Sequence, residues 1–173
     1  MAKEKSQLSH NSGFTIIEAL IAIFAFGIIF TIIGSIFAQS LLLQRRAFNA
    51  QKVEENLNLI MEAMAREIRV STIIGVDTVC PSAPLNLLTI IHPVNGNVNY
   101  TLNNFAVHRN MNADDSIMSS NTVRFTRLQF CLSGMTPGSQ PRVTVVGTIQ
   151  SLDINQQITE DFQTTITTRV LNP

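Results

Sequence analysis

The hydrophobic positions of this chain follow three successive patterns. The first is a run of uncharged, largely apolar residues over positions 19–38. A membrane-spanning helix needs roughly 20 such residues, so this run predicts a helix that crosses a membrane. Gly27 and Gly34 lie one heptad apart and therefore on nearly one face, which suits close packing against neighbouring helices.

The second pattern is an amphipathic stripe that follows the apolar run without any helix-breaking residue. Its apolar positions recur at spacings of three and four, as on one face of an α-helix. Ser71 and Gly75 end the signal. The sequence therefore predicts one continuous helix from Phe14 to about Val70, whose second half packs on a folded domain. The stripe consists of Val53, Leu57, Ile60, Met64 and Ile68.

The third pattern is an alternation of apolar and polar residues, which is typical of β-strands. Asn95-Gly96 is a strong signal for a two-residue hairpin turn, and a change of phase between Phe125 and Leu128 indicates a β-bulge. The polar segment 110–120 predicts a loop. Because no second long helix follows, the predicted fold class is α+β, with a long N-terminal helix packed on an antiparallel β-sheet.

Composition and charge limit the kinds of partner. The chain has 173 residues, with 12 Lys and Arg against 12 Asp and Glu, which fits one modest domain plus an anchor. This neutral balance gives no reason to expect a nucleic acid or an acidic substrate as a partner, although a local basic patch would still allow such a partner to bind. Tryptophan is absent and tyrosine occurs once, so few rings are present that could stack on bases.

The residues just before the apolar run form a specific motif, GFTIIE, over positions 13–18. This motif closely resembles the processing site of type IV pilins and pseudopilins. In that family a dedicated prepilin peptidase cuts after the glycine and methylates the new terminal phenylalanine. The resemblance therefore implies cleavage between Gly13 and Phe14, and N-methylation of Phe14.

The same resemblance implies a domain organisation and a location. Residues 1–13 would be a cleaved leader, residues 14–44 a hydrophobic transmembrane and assembly helix, and residues 45–173 a periplasmic or extracellular pilin-like domain. The protein would cross the cytoplasmic membrane once and later join a filament in the periplasm or on the cell surface. The implied partners are the prepilin peptidase/N-methyltransferase, other pilin or pseudopilin subunits, the inner-membrane assembly platform, and membrane lipid before assembly. No cofactor is expected.

Glu18 is a carboxylate just inside the apolar run. At the centre of the hydrocarbon such a group costs roughly 2.5–3.5 kcal/mol, although a position one turn from the start lets it reach the headgroups. The resemblance gives it a further role, because cleavage creates an ammonium at Phe14. A buried ion is tolerated when it is paired with the opposite charge. Glu18 of one subunit is therefore expected to pair with Phe14 of its neighbour during assembly.

Two features favour a minor subunit over a major one. Major pilins usually carry a proline midway along the N-terminal helix, and residues 14–44 contain none. Residues 61–69 and 162–169 look like the corresponding segments of minor pilins and J-type minor pseudopilins. The resemblance implies a subunit of an initiation or tip complex, in a type IV pilus, a type II secretion pseudopilus or a competence filament.

Three other interpretations stay open. An ordinary secretory signal would be cleaved after Ala38, where residues 36–38 form an imperfect small-residue site. A membrane-anchored extracytoplasmic binding protein that does not polymerise would keep its leader. A DNA-receptor pilin would show a salt-dependent affinity for DNA, and the neutral charge argues against this interpretation.

Cys80 and Cys131 both lie beyond the apolar run. In a domain outside the cytoplasm, two cysteines are candidates for a disulfide. The alternative is a pair of unrelated buried thiols.

The remaining polar residues do not form a recognisable catalytic or metal-binding motif. Oxygen-bearing side chains alternate over residues 110–116, but the glycine and distal glutamate of a calcium loop are missing. His92 and His108 lack the partner spacing of a zinc site. Since the sequence also lacks a nucleophile elbow, a phosphate loop and a metal-binding helix pair, we expect a structural subunit rather than an enzyme.

Overall fold

The long helix predicted from the sequence is present as a single element. The computed structural model describes residues 13–112, 114–153 and 156–171, and within them α1 covers Ile16–Val70. The apolar run and the amphipathic stripe therefore belong to one helix. The chain divides into two compact units, the first ending at Gln44 and the second beginning at Arg45, so α1 supplies residues to both.

The strands of the second unit form two antiparallel sheets within the described residues. The first sheet has the order β1-β2-β3-β4-β5 and the second the order β6-β7-β8. Neighbouring strands in each sheet are also consecutive along the chain, so both sheets are simple meanders. The strands are β1 (Thr72–Ile74), β2 (Leu87–His92), β3 (Gly96–Asn103), β4 (Ala106–Met111), β5 (Asp114–Ile117), β6 (Val123–Ser133), β7 (Arg142–Ser151) and β8 (Thr159–Thr167).

The predicted stripe of α1 is buried in the hydrophobic core of the second unit, as expected. Val53, Met64 and Ile68 have no exposed surface at all. Burial of each large aliphatic side chain contributes about 1.5–3 kcal/mol, so the stripe holds this half of the helix on the sheets. Both sheets contribute to the same core through Leu88, Ile90, Val98, Tyr100, Val107, Phe125, Phe130, Leu132, Val143, Val145, Ile149 and Ile166.

One local prediction about the strands is confirmed, and another is confirmed in part. A hairpin joins β2 to β3, but its turn consists of the three residues 93–95 rather than the predicted two, because His92 pairs with Gly96. Gly96 is the first residue of β3 and has a φ of 73°, a conformation that glycine adopts at little cost. In β6 the pairing register shifts between Phe125 and Arg127, which is the predicted bulge.

One prediction was wrong, because segment 110–120 is not simply a loop. It contains the end of β4 and the whole of the edge strand β5. Asn112 has a φ of 48°, which allows a tight turn between these two strands. Every residue of β5 is exposed, so no hydrophobic alternation marks this strand in the sequence. The sequence predicted one antiparallel sheet, whereas the structure has two, and β5 and β6 each lie at a sheet edge.

A polar cluster fastens the end of α1 to the five-stranded sheet. The Glu67 carboxylate accepts hydrogen bonds from the Arg109 guanidinium at 2.8–3.1 Å and from the Tyr100 hydroxyl. Burial raises the pKa of Glu67, but the hydrogen bonds from Arg109 and Tyr100 and the Arg109 charge outweigh burial and lower the pKa below its ordinary value of 4.5. Burial and the contact with Glu67 together raise the pKa of Tyr100.

Candidate functional site

A capping box formed by Thr15 and Glu18 begins α1. The Thr15 hydroxyl accepts a hydrogen bond from the Glu18 backbone N–H at 3.3 Å, and the Glu18 carboxylate accepts one from the Thr15 backbone N–H at 3.2 Å. The same carboxylate oxygen accepts a third hydrogen bond from the Thr15 hydroxyl at 3.0 Å. These bonds satisfy backbone donors that the first helical turn leaves without partners.

Glu18 therefore has a structural role inside a single chain. A carboxylate in the first turn also interacts favourably with the helix dipole, by about 0.3–1 kcal/mol at an exposed site. Reasoning from charge alone considered Glu18 and overlooked Thr15. The Thr-x-x-Glu spacing ahead of an apolar run is nevertheless a sequence signature of a capping box, so this signal was present.

The Gly13–Phe14 bond lies in exposed, non-helical backbone just before the capping box. Phe14 keeps 76% of its surface exposed, and no atom of the described residues lies within 4 Å of the point where a side chain on Gly13 would begin. The bond is therefore sterically open to a peptidase. The rest of the predicted leader, residues 1–12, lies outside the described residues.

In the first unit, α1 exposes large apolar side chains on all sides. Two of its hydroxyl groups, those of Thr31 and Ser35, donate hydrogen bonds of 2.8 Å to the backbone carbonyl oxygens of Gly27 and Ile32. Among the residues that the structure describes, α1 is the one helix long and apolar enough to cross a membrane. Such a surface needs lipid or other helices around it.

In the second unit, a disulfide joins Cys80 to Cys131, with the two Cα atoms 6.1 Å apart. Cys131 lies on β6, and Cys80 lies in the segment between β1 and β2. Leu85 of that segment also exchanges two backbone hydrogen bonds of 2.8 Å with Phe130 of β6. The disulfide and this bridge together hold the segment at the β6 edge of the three-stranded sheet.

The histidines considered as metal ligands have partners within the fold. His108 Nδ1 lies 2.9 Å from both carboxylate oxygens of Asp115. His92 Nδ1 accepts hydrogen bonds from the backbone N–H groups of Val94 and Asn95 at 3.2 and 3.1 Å. Over the described ranges, no group of three or more His, Cys, Asp or Glu side chains is arranged to hold a metal ion.

Comparison with known families matches residues 8–34 to the prokaryotic N-terminal methylation motif. The matched range includes the exposed Gly13–Phe14 bond, both residues of the capping box and much of the apolar run. No curated protein and no solved structure matched the chain.

Proposed function

We propose that this chain, which its N-terminal methylation motif identifies as a type IV pilin-like or pseudopilin-like precursor, matures into a minor subunit of a filament. The observation that carries the proposal is the motif itself, with Gly13-Phe14 and Glu18 placed directly before an exposed apolar helix. Prepilin peptidase/N-methyltransferase would cut after Gly13 and methylate Phe14. The motif points to a structural subunit rather than an enzyme.

The apolar half of α1 supports a role first as a membrane anchor and then as part of a filament core. Lipid would cover this surface before assembly, which fits a single-pass membrane protein. Helices of sister subunits would replace the lipid on assembly. In the part of the chain that the structure describes, no atom lies within 4 Å of the point where a side chain on Gly27 or Gly34 would begin, which leaves room for a close neighbouring helix.

In the proposed assembly, the Glu18 carboxylate exchanges a hydrogen-bond partner in its own chain for one in a neighbouring subunit. In the single chain its carboxylate is bonded to Thr15. Cleavage would give the adjoining subunit an ammonium on Phe14, which competes for that carboxylate. The Thr15 hydroxyl is neutral, whereas the ammonium carries the charge opposite to that of the carboxylate, and attraction between opposite charges is much stronger in an apolar surrounding than in water. The ammonium would therefore displace the Thr15 hydroxyl. The pairing would then fix the register of neighbouring helices.

The N-terminal helix supports a role as a minor subunit, in an initiation or tip complex. Residues 14–44 contain no proline, and α1 runs unbroken from Ile16 to Val70. The filament would be that of a type IV pilus, a type II secretion system or a competence apparatus. Its partners would be other pilin or pseudopilin subunits and the inner-membrane assembly platform.

A membrane-anchored binding protein that never polymerises is the second candidate. The capping box favours it, because Thr15 already satisfies Glu18 within one chain. In this case α1 would stay in lipid, and the domain would act alone.

Mass spectrometry of the amino terminus tests the proposal on protein purified from native membranes. The expected mature chain begins with N-methyl-Phe14. A chain that still begins at Met1 would contradict processing and support the anchored binding protein, and a chain that begins at Gln39 would support a secretory signal. Crosslinking in the same membranes tests assembly, since a methylated chain found solely as a monomer would contradict a filament.

A further inference from the structure

The three-stranded sheet has two edge strands, β6 and β8, and other parts of the chain cover the β6 edge. The backbone N–H of Phe125 donates to the carbonyl oxygen of Phe105 at 2.9 Å. The backbone N–H of Leu132 donates to the Thr78 hydroxyl at 2.8 Å. Between these two positions lies the bridge to the segment that the disulfide holds. The backbone groups on the outer side of β6 therefore have partners near both ends and in between.

The β8 edge differs, because its outer backbone groups face away from the sheet. Backbone hydrogen bonds from Thr168 to Pro141 and from Ser151 to Ile158, at 3.0 and 2.9 Å, fix which residues face β7. The register between them is continuous, and successive residues of a strand direct their backbone groups to opposite sides. The even-numbered residues therefore bond to β7, and the odd-numbered residues of Thr159–Thr167 face outward. No strand among the described residues pairs with this side.

β8 also has little of the protection that natural edge strands carry. Proteins usually protect an exposed edge with proline, charged residues, a bulge or a very short strand. Residues 162–167 contain no proline and no charge, and their pairing register has no irregularity. The exposed edge strand of the other sheet, β5, has only four residues and begins with two aspartates. The β8 edge is therefore the better surface for adding a strand.

The open edge leads to a depression of about 320 Å³ beside the end of α1. Arg169 lies two residues beyond β8, and its backbone N–H donates to the carbonyl oxygen of Arg69 at 2.8 Å. The side chains of both residues line the depression, together with Arg66. Arg66 pairs with Glu62, but within the described residues neither Arg69 nor Arg169 forms an ion pair. The helix dipole favours one cation at this end, and Arg169 adds a second.

We propose that an extended segment of a neighbouring filament subunit binds along the β8 edge and places an acidic group in this depression. The inference rests on the assembly in the proposed function, and it names the surface that one partner uses. The outward N–H and C=O groups recur at every second residue, about 7 Å apart, which matches the backbone of an added strand. A carboxylate at the end of that segment would meet the guanidinium groups of Arg69 and Arg169.

The inner face of β8 indicates what kind of side chain the added segment presents. Phe162 is only partly buried against the core, and Thr164 on the same face is exposed. Side chains of the added strand that point to this face would lie beside these two residues. An apolar side chain next to Phe162 would complete the cover of its ring. The expected segment is therefore extended, apolar on one face and acidic at one end.

Hydrogen–deuterium exchange of the full chain, resolved residue by residue, tests strand addition. The chain in detergent is compared with the chain in filaments sheared from native cells. The outward amides of Asp161, Gln163 and Thr165 are expected to exchange about tenfold more slowly in filaments. The amides of Phe162 and Thr164 bond to β7 and should be protected in both states. Unchanged exchange of the outward amides would overturn the proposal, and so would slowing that does not alternate, which would indicate a contact through the sheet face.

Proline at position 163 tests the same contact by another route. Gln163→Pro removes one outward N–H and no bond to β7, and proline is tolerated where its nitrogen faces outward from an edge strand. The melting temperature should change little, whereas recovery in sheared filaments should fall about fivefold, because main-chain hydrogen bonds give strand addition its affinity. Gln163→Ala is the matched control that keeps the N–H, and it should be recovered like the natural chain. Equal recovery of the two folded variants would overturn the proposal. If Gln163→Pro does not fold, the exchange measurement decides.

The substitution Arg169→Glu tests the acidic end of the segment. A reversed charge would repel a carboxylate in the depression, so recovery in filaments is expected to fall about fivefold. Arg124→Glu is the matched control, because Arg124 is an exposed arginine on β6 at the covered edge of the same sheet. This control should be recovered like the natural chain. Equal recovery of the two variants would overturn the role of the depression.

Two results separate failure of this inference from failure of the proposed function. A natural chain that enters filaments but exchanges its outward β8 amides freely would overturn strand addition and leave the proposed function intact. A natural chain that keeps its leader, or that never enters filaments, would overturn the proposed function and strand addition with it.

Discussion

The Thr15 hydroxyl donates a hydrogen bond of 3.0 Å to the Glu18 carboxylate across the first turn of α1. Glu18, at the N-terminal end of the apolar helix, therefore has a hydrogen-bond partner within its own chain. The same carboxylate is the group that would pair with the Phe14 ammonium of a neighbour. Capping and pairing differ in one respect, since capping needs a hydrogen-bond acceptor and pairing needs a negative charge.

Replacing Glu18 by two different residues separates these roles. Glu18→Gln keeps an acceptor suited to a capping box but removes the charge, whereas Glu18→Ala removes both. We expect both variants to insert into membranes, because loss of a carboxylate lowers the cost of insertion, and both to be poorly incorporated into filaments. Membrane fractionation and immunoblots of sheared filaments measure the two steps. Normal incorporation of Glu18→Gln would show that the charge is not needed and would contradict pairing.

The substitution Gly13→Leu is expected to block removal of the leader. The bond after Gly13 is exposed, and the resemblance implies that the peptidase accepts glycine at that position. The variant should remain in the membrane at precursor size, as gel mobility and mass spectrometry of the amino terminus will show. Gly27→Leu is the matched control, since it adds the same side chain inside the apolar helix and should be trimmed normally. Normal trimming of Gly13→Leu would refute the assigned cleavage site.

The Cys80–Cys131 disulfide is expected to stabilise the second unit by limiting its unfolded chain. The two cysteines are 51 residues apart, and closing a loop of that length contributes about 4 kcal/mol in the chain-entropy model. Reduction, or the double substitution Cys80→Ser with Cys131→Ser, should lower the urea midpoint followed by circular dichroism. Thiol titration of denatured native protein is the direct check, and two free thiols without reductant would contradict the bond.

Glu67 is expected to make the stability of the second unit depend on pH. The pKa of Glu67 is lowered in the folded protein. The stabilisation that Glu67 contributes is therefore fully present above its ordinary pKa of 4.5 and is lost as the pH falls through its pKa in the folded protein. Glu67→Gln should therefore cost about 1–3 kcal/mol at neutral pH. The difference in unfolding free energy between this variant and the natural protein should become smaller below pH 4.5. Melting curves at several pH values will measure it.

Glu62→Gln is the matched control for Glu67 on the same helix. Glu62 pairs with Arg66 at 2.7 Å, but both side chains are more than 70% exposed. An exposed i,i+4 pair contributes only about 0.3–0.5 kcal/mol, so this variant should melt close to the natural protein at every pH. An equal effect of the two substitutions would show that the contact with Arg109 has no special role.

Several features of this protein follow from local sequence patterns. The stripe from Val53 to Ile68 predicts which face of α1 is buried, because a helical period and burial of one face are both local properties. The hairpin at Gly96 and the bulge after Phe125 are likewise visible in a few neighbouring residues. The Thr15–Glu18 box is equally local, and it was missed only because Glu18 was considered for its charge.

The sequence by itself thus determined the apolar run, the N-terminal methylation motif, the long helix and the α+β class. Tertiary structure alone decided the division into two sheets, the exposed edge strand β5, and the ion pair between Glu67 and Arg109, which lie 42 residues apart. Such contacts depend on which strands pair and where each loop returns, and no period along the chain encodes the partner of a residue so distant in sequence.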